Sequence, residues 1–151
     1  MPSTGAEYAV RFMMHRGALV DLLESVPADK AGFVPWEGAM DFAKMADHMS
    51  GAGGFFATLI KGGERVRPEP SASYHAALEN LKAGTAATVE MLKALTPEQI
   101  GASVTAMGGR TVQVGSLIDY MIEHEAHHKG QVFTMMRMAG LETPKSWVKW
   151  P

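Results

Sequence analysis

The sequence predicts an all-α fold, a four-helix bundle, and three observations carry that expectation. Four segments place apolar residues at alternating steps of three and four, the period of a helix with one buried face. Only one short stretch looks β-like, and it is too short to found a sheet. No linker, internal repeat or low-complexity segment divides the 151 residues, a length that suits a single domain with its own core.

The first helix is expected from about Gly5 to Ser25. Thr4 and Glu7 have capping-box spacing, which satisfies backbone donors at a helix start. Tyr8, Phe12, His15, Leu19, Leu22 and Val26 form the stripe, and Pro27 ends it. A loop follows to about Gly38, with two prolines that disfavour helix. The second helix runs from about Met40 to Lys61, with a stripe of Phe42, Met45, His48, Ala52, Phe55 and Leu59. Gly51, Gly53 and Gly54 interrupt it, and each weakens a helix by roughly 1 kcal/mol relative to alanine. They provide either a close helix–helix contact or room for a ligand beside His48.

Gly62 and Gly63 close that helix, and Arg65 to Ser73 reads as an exposed connection. The third helix covers about Ala72 to Leu95, with Tyr74, Leu78, Leu81, Thr85, Thr88, Leu92 and Leu95 on one face. Thr96-Pro97-Glu98-Gln99 has the layout of a cap and starts one short turn. Ser103 to Val114 can form a small hairpin about Gly108-Gly109. The fourth helix is expected from about Val112 to Ala139, ended by Gly140. Trp147 and Trp150 in the tail are expected to dock on the body, to line a pocket mouth, or to meet a second subunit.

Composition narrows the chemistry. There is no cysteine, which excludes a disulfide scaffold, a thiolate-ligated zinc site, an iron–sulfur cluster and a cysteine nucleophile. The net charge of −2 gives no basic surplus for nucleic acid or an anionic membrane. The start of the chain lacks a signal-peptide layout and no apolar run is long enough to span a bilayer, so a cytoplasmic protein is expected.

Of the six histidines, three fall between positions 124 and 128. The stripe of the fourth helix is Leu117, Met121, His124, His128, Val132, Met135 and Ala139. At about 100° per residue, His124 and His128 lie roughly 40° apart, one turn from each other and inside the stripe. Two buried imidazoles each need a partner, and one metal ion serves both. His48, in the stripe of another helix, adds a third, since bundle cores build metal sites from facing helices. Met45, Met49, Met121 and Met135 are expected as flexible apolar lining.

His124-Glu125-Ala126-His127-His128 also matches the zinc-protease pattern H-E-x-x-H, with Glu125 as general base. The extended pattern is missing, because position 134 is threonine, and no strand is available to align a peptide.

Ala46-Asp47-His48-Met49 on the second helix and His124-Glu125-Ala126-His127-His128-Lys129-Gly130-Gln131 on the fourth together resemble the DinB/YfiT superfamily of small bacterial metalloproteins. In that family a histidine late on the second helix joins two histidines four apart on the last, which reads H-x-x-x-H-R/K-G-Q/N and leaves through Gly-x-x-x-Pro. Gly140 to Pro144 fits that exit, and Val34-Pro35-Trp36 and Gly109-Arg110-Thr111-Val112 are similar to the family as well. The resemblance covers nearly the whole chain. It implies a four-helix bundle with a long crossover, one divalent ion (zinc or nickel) on His48, His124 and His128, and often a homodimer. Several relatives are S-transferases or isomerases that use a low-molecular-weight thiol; others are known only as damage-inducible proteins.

The function expected is therefore a divalent-metal-dependent transferase that adds a low-molecular-weight thiol to a small electrophile. The alternatives are a metal-dependent hydrolase and a non-catalytic stress-inducible metal-binding protein. Three neutral imidazoles leave an ion its full charge and an open position, the layout of a catalytic site. Gln131, one turn beyond His128, orients a bound group or hydrogen-bonds within the bundle. His15 borders the cavity or satisfies itself in the core, and His127 steadies a ligand, meets a partner subunit or faces solvent. Glu125 is a candidate to support the ligands from behind.

Overall fold

The computed structural model describes residues 4–62, 64, 66–144 and 148–151. Among the residues read above, Gly63, Arg65 and Trp147 lie outside the described residues.

The expected helices form, and local hydrogen bonds set their ends. Helix α1 spans Gly5–Glu24, and Thr4 makes its capping box with Glu7. Helix α2 spans Phe42–Lys61. It starts two residues after the expected start at Met40, because the Asp41 carboxylate takes the backbone N–H of Lys44 at 2.7 Å. Helix α3, Tyr74–Lys93, is capped by the Ser73 hydroxyl. The short α4, Pro97–Gly101, begins with the Thr96–Gln99 capping box. Strands β1 (Ser103–Thr105) and β2 (Thr111–Gln113) pair antiparallel, with Val104 opposite Val112. Gly108 and Gly109 turn the chain between them at φ of 70° and 73°, where a side chain would be strained. Because Val112 is spent in that ladder, the last helix, α5, begins at Val114 and runs to Met138.

Contacts fix the direction of each helix. Tyr8, Arg11 and Arg16 meet Gly115, Asp119 and Glu125 in ascending order, so α1 and α5 run parallel. Arg16 meets Thr85 and the Tyr74 hydroxyl reaches the Leu23 carbonyl, so α3 opposes α1. His48 faces His124 and His128 while Phe56 faces Tyr120, so α2 opposes α5. Ser50 meets Asn80 and Gly53 approaches Thr88, so α2 and α3 are parallel. Around the bundle the order is α1, α3, α2, α5, and the α2–α5 seam is the thinnest.

Consecutive parallel neighbours need a connection as long as the bundle. The twelve residues 62–73 supply it, and the described ones, 62, 64 and 66–73, form a strap without helix or strand, which Pro68 and Pro70 favour. The strap is tied beside His48: the Asp47 carboxylate accepts from both the backbone N–H and the hydroxyl of Ser71, and Asn80 donates to the same hydroxyl.

The apolar core has two parts. One joins Leu19, Leu22, Leu23, Met45, Met49 and Met135; the other joins Tyr8, Phe12, Phe56, Leu117 and Met121. Between them lies a polar layer of Arg16, Thr85, Glu125 and His128, each under a tenth exposed. Met45, Met49, Met121 and Met135 fall in these two apolar parts.

Two expectations are corrected. The buried face of α2 is Phe42, Met45, Ala46, Met49, Gly53, Phe56 and Ile60, one residue round from the expected stripe. His48, Ala52, Phe55 and Leu59 therefore lie at its edge, because α2 packs mainly on α3. Trp150 does not dock, being 77% exposed. Lys149 holds the tail instead, through its backbone N–H to Met14 and its ammonium to Asp21.

Candidate metal centre

The polar layer is built around a charge that cannot be left alone. Arg16 is fully buried. Its guanidinium grips both oxygens of Glu125 at 2.6 and 2.7 Å and donates at 3.0 Å to Thr85 Oγ1 and to the Met49 carbonyl. The four bonds join all four long helices, and such bidentate charge-assisted pairs are among the strongest polar contacts. Burial pushes the Glu125 carboxyl above its ordinary value, against the opposing pull of Arg16. The carboxylate is thus committed to α1, which removes it as the free general base that the H-E-x-x-H pattern requires.

Glu125 follows His124, and Met49 follows His48, so Arg16 braces the two helices on which the histidines converge. The Nε2 atoms of His48, His124 and His128 lie 2.9 Å (48–128), 3.1 Å (124–128) and 3.3 Å (48–124) apart. Among the described residues, these three form the group whose ligand atoms could hold a metal ion. A tetrahedral zinc with Zn–N of about 2.05 Å needs its nitrogens roughly 3.3 Å apart, so the cluster fits an ion after opening by a few tenths of an ångström. His48 is exposed, His124 half-buried and His128 buried, so the cluster sits at the rim of the bundle with one side open.

The surroundings favour neutral imidazoles. Burial lowers His48 and, with the neighbouring histidines, takes His124 down to about 4. Burial also takes His128 to about 4, with Gln131 pulling the other way. His128 Nδ1 lies 2.7 Å from Gln131 Oε1, so it carries the proton and donates to that oxygen, which leaves Nε2 with a free lone pair aimed at the cluster. His124 Nδ1 is buried and, among the described residues, has no hydrogen-bond partner. Three facing nitrogens share protons poorly, and an ion resolves that shortage.

The other candidates separate. Gln131 makes a hydrogen bond within the bundle, to His128. His127 is exposed, its ring edge against His128 at 4.8 Å between centroids. His15 does not border the cavity: its Nδ1 accepts from Lys129 Nζ at 3.0 Å in the α1–α5 seam. Lys129 is buried there, and burial lowers its pKa.

A groove of about 920 Å³ opens beside His48 and His124. Its lining includes Gly51, Ala52, Phe55, Phe56 and Tyr120 from the helices and Val66, Arg67, Pro68, Glu69, Pro70 and Ser71 from the strap. Two of the three α2 glycines take one expected use each, while Gly54 faces open space. Gly53 allows close approach to α3, since a Cβ there would meet Thr88 Oγ1 at 3.2 Å, whereas Gly51 lines the groove. No helix among the described residues is long and apolar enough to cross a membrane.

Sequence reasoning missed Arg16 as the brace, Lys129 as a buried group and the strap as a wall. Arg16 carried a signal: it lies four residues after Phe12 and three before Leu19, inside the stripe.

The DinB family model matches residues 1–150. The protein YjoA of Bacillus subtilis strain 168 is 30% identical over 136 residues, covering 85% of this chain and 86% of that protein. A crystal structure of this DinB-like YjoA superposes with a TM-score of 0.79 at 28% identity, covering 95% of this chain and 98% of that one. A DinB-like protein from Bacillus cereus superposes with a TM-score of 0.83 at 19% identity, covering 97% and 99%, and so speaks for the fold alone.

Proposed function

The chain belongs to the DinB family, and from that premise we propose that it is a divalent-metal-dependent transferase joining a low-molecular-weight thiol to a small electrophile. The observation that carries the proposal is the convergence of the His48, His124 and His128 Nε2 atoms within 3.3 Å beside an open groove. Bound there, zinc or nickel would supply a Lewis acid that lowers the pKa of a thiol at its open position. The chain's own contribution is orientation. Gln131 fixes the tautomer of His128, and Arg16 with Glu125 holds α2 and α5 in register. The groove then places the electrophile. The thiol sulfur forms the new bond to carbon, its proton passes to solvent, and the leaving group departs with the bonding pair. The chain has no cysteine, so the sulfur comes from the thiol partner.

The test has two arms. Elemental analysis of the purified protein is expected to find one ion per chain, lost in His48→Ala and His128→Ala. Metal-loaded protein with a panel of cellular thiols and electrophiles is expected to consume thiol faster than the His124→Ala control. Full metal content in all three alanine variants overturns the ligand assignment. Metal binding with no thiol consumption overturns the transferase, and ester or amide hydrolysis in its place would establish the hydrolase.

A further inference from the structure

The groove beside the histidine cluster has a mixed lining in which aromatic and apolar residues lie next to the histidines. Rings lead away from the cluster: the Phe56 centroid lies 6.0 Å from His124, 5.9 Å from Tyr120 and 5.7 Å from Phe55. The strap adds Val66 and Pro68 to the same groove. Val66 and Tyr120 are 83% and 48% exposed, and large apolar side chains grouped at one opening mark a binding surface. The charges on the lining cancel, with Lys44 and Arg67 against Asp47 and Glu69, so the groove carries no net charge to select an ion. His48 and His124 line it while His128 lies behind, so the open side of the cluster faces the rings.

We infer that the substrate seated in this groove carries an uncharged apolar group of aromatic-ring size, held between Phe55, Tyr120 and Val66, with its reactive end toward the histidines. The inference deepens the metal-centre reading and rests on it. The groove has room for such a body, since small-molecule pockets span about 300–1,000 Å³. An apolar body removes both its own surface and the exposed rings from water, which a small polar substrate does not.

The test uses the zinc-loaded full chain and two hydroxamates that share one metal-binding head, acetohydroxamate and naphthohydroxamate. Naphthohydroxamate is expected to bind at least about tenfold tighter than acetohydroxamate. In Tyr120→Ala and in Val66→Ser, substitutions at exposed positions, that advantage is expected to fall below about threefold while acetohydroxamate affinity stays within about twofold of wild type. Equal affinity of wild type for the two compounds, or an advantage that survives both substitutions, overturns the inference and leaves the metal centre standing. Failure of zinc to bind the wild-type chain overturns the metal centre and this inference with it.

Discussion

Replacing Arg16 by methionine isolates the brace that crosses the bundle. Methionine keeps much of the volume but removes four hydrogen bonds, two of them to a carboxylate that is 1% exposed. Breaking a buried pair from one side leaves an uncompensated charge and costs about 3–5 kcal/mol. For a chain of this length each kcal/mol shifts Tm by about 2–4 °C, so a fall of about 6–20 °C is expected. Urea unfolding of metal-free protein at several pH values reads both the size and the cause. Glu125 can shed the penalty by taking a proton, so the deficit is expected to shrink toward low pH and grow toward high pH. The double variant Arg16→Met/Glu125→Leu is expected to recover most of the loss, because no orphaned charge remains. A loss under about 1 kcal/mol, a deficit that does not change with pH, or a double variant as unstable as the sum of its singles would refute the reasoning.

Three further outcomes are expected. Gln131→Leu strips the partner of His128 Nδ1 and is expected to weaken zinc binding by about 10–100-fold in a competition titration, with little change in the urea midpoint. In metal-free protein the folded-state pKa values of His124 and His128, about 4, lie below the ordinary value of 6.5, so the unfolded chain takes up protons first as pH falls. Stability is therefore expected to be full above about pH 6.5 and to decline toward pH 4, and thermal unfolding of His128→Gln should show a shallower decline. Asp47→Ala removes the two bonds that its carboxylate accepts from Ser71, leaving the one from Asn80, and is expected to cost about 1–2 kcal/mol and to speed proteolytic cleavage within residues 64–70.

The helices were legible because caps and periodicity are local. Thr4 with Glu7 and Thr96 with Gln99 name their own hydrogen bonds, and the four-residue interval between His124 and His128 survives any modest error in the helix axis. The face of α2 was not legible to one residue, since the mixture of Gly, Ala and Phe from Gly51 to Ala57 allows two adjacent stripes. Packing on α3 chose between them. The partner of Arg16 was hidden for another reason: Glu125 is 109 positions away, and periodicity shows that a charge is buried without saying what answers it. The groove was least legible, because its outer wall is a strap whose place depends on α2 and α3 being parallel.

That parallel pairing also limits how the protein can change. The strap must travel the length of α2, whose 20 residues rise about 30 Å, using the 12 residues 62–73, which reach about 40 Å when extended. The side chains of Val66, Arg67 and Glu69 are free to vary, since they line the groove, are exposed and carry little of the core, but the length of the strap is not. Removing four residues would leave about 26 Å of reach and the helices could not both seat. New substrate preferences can therefore arise in this architecture through substitutions in the strap, whereas deletions there undo the fold, so variants accessible to evolution differ at Val66, Arg67 and Glu69 before they differ in spacing.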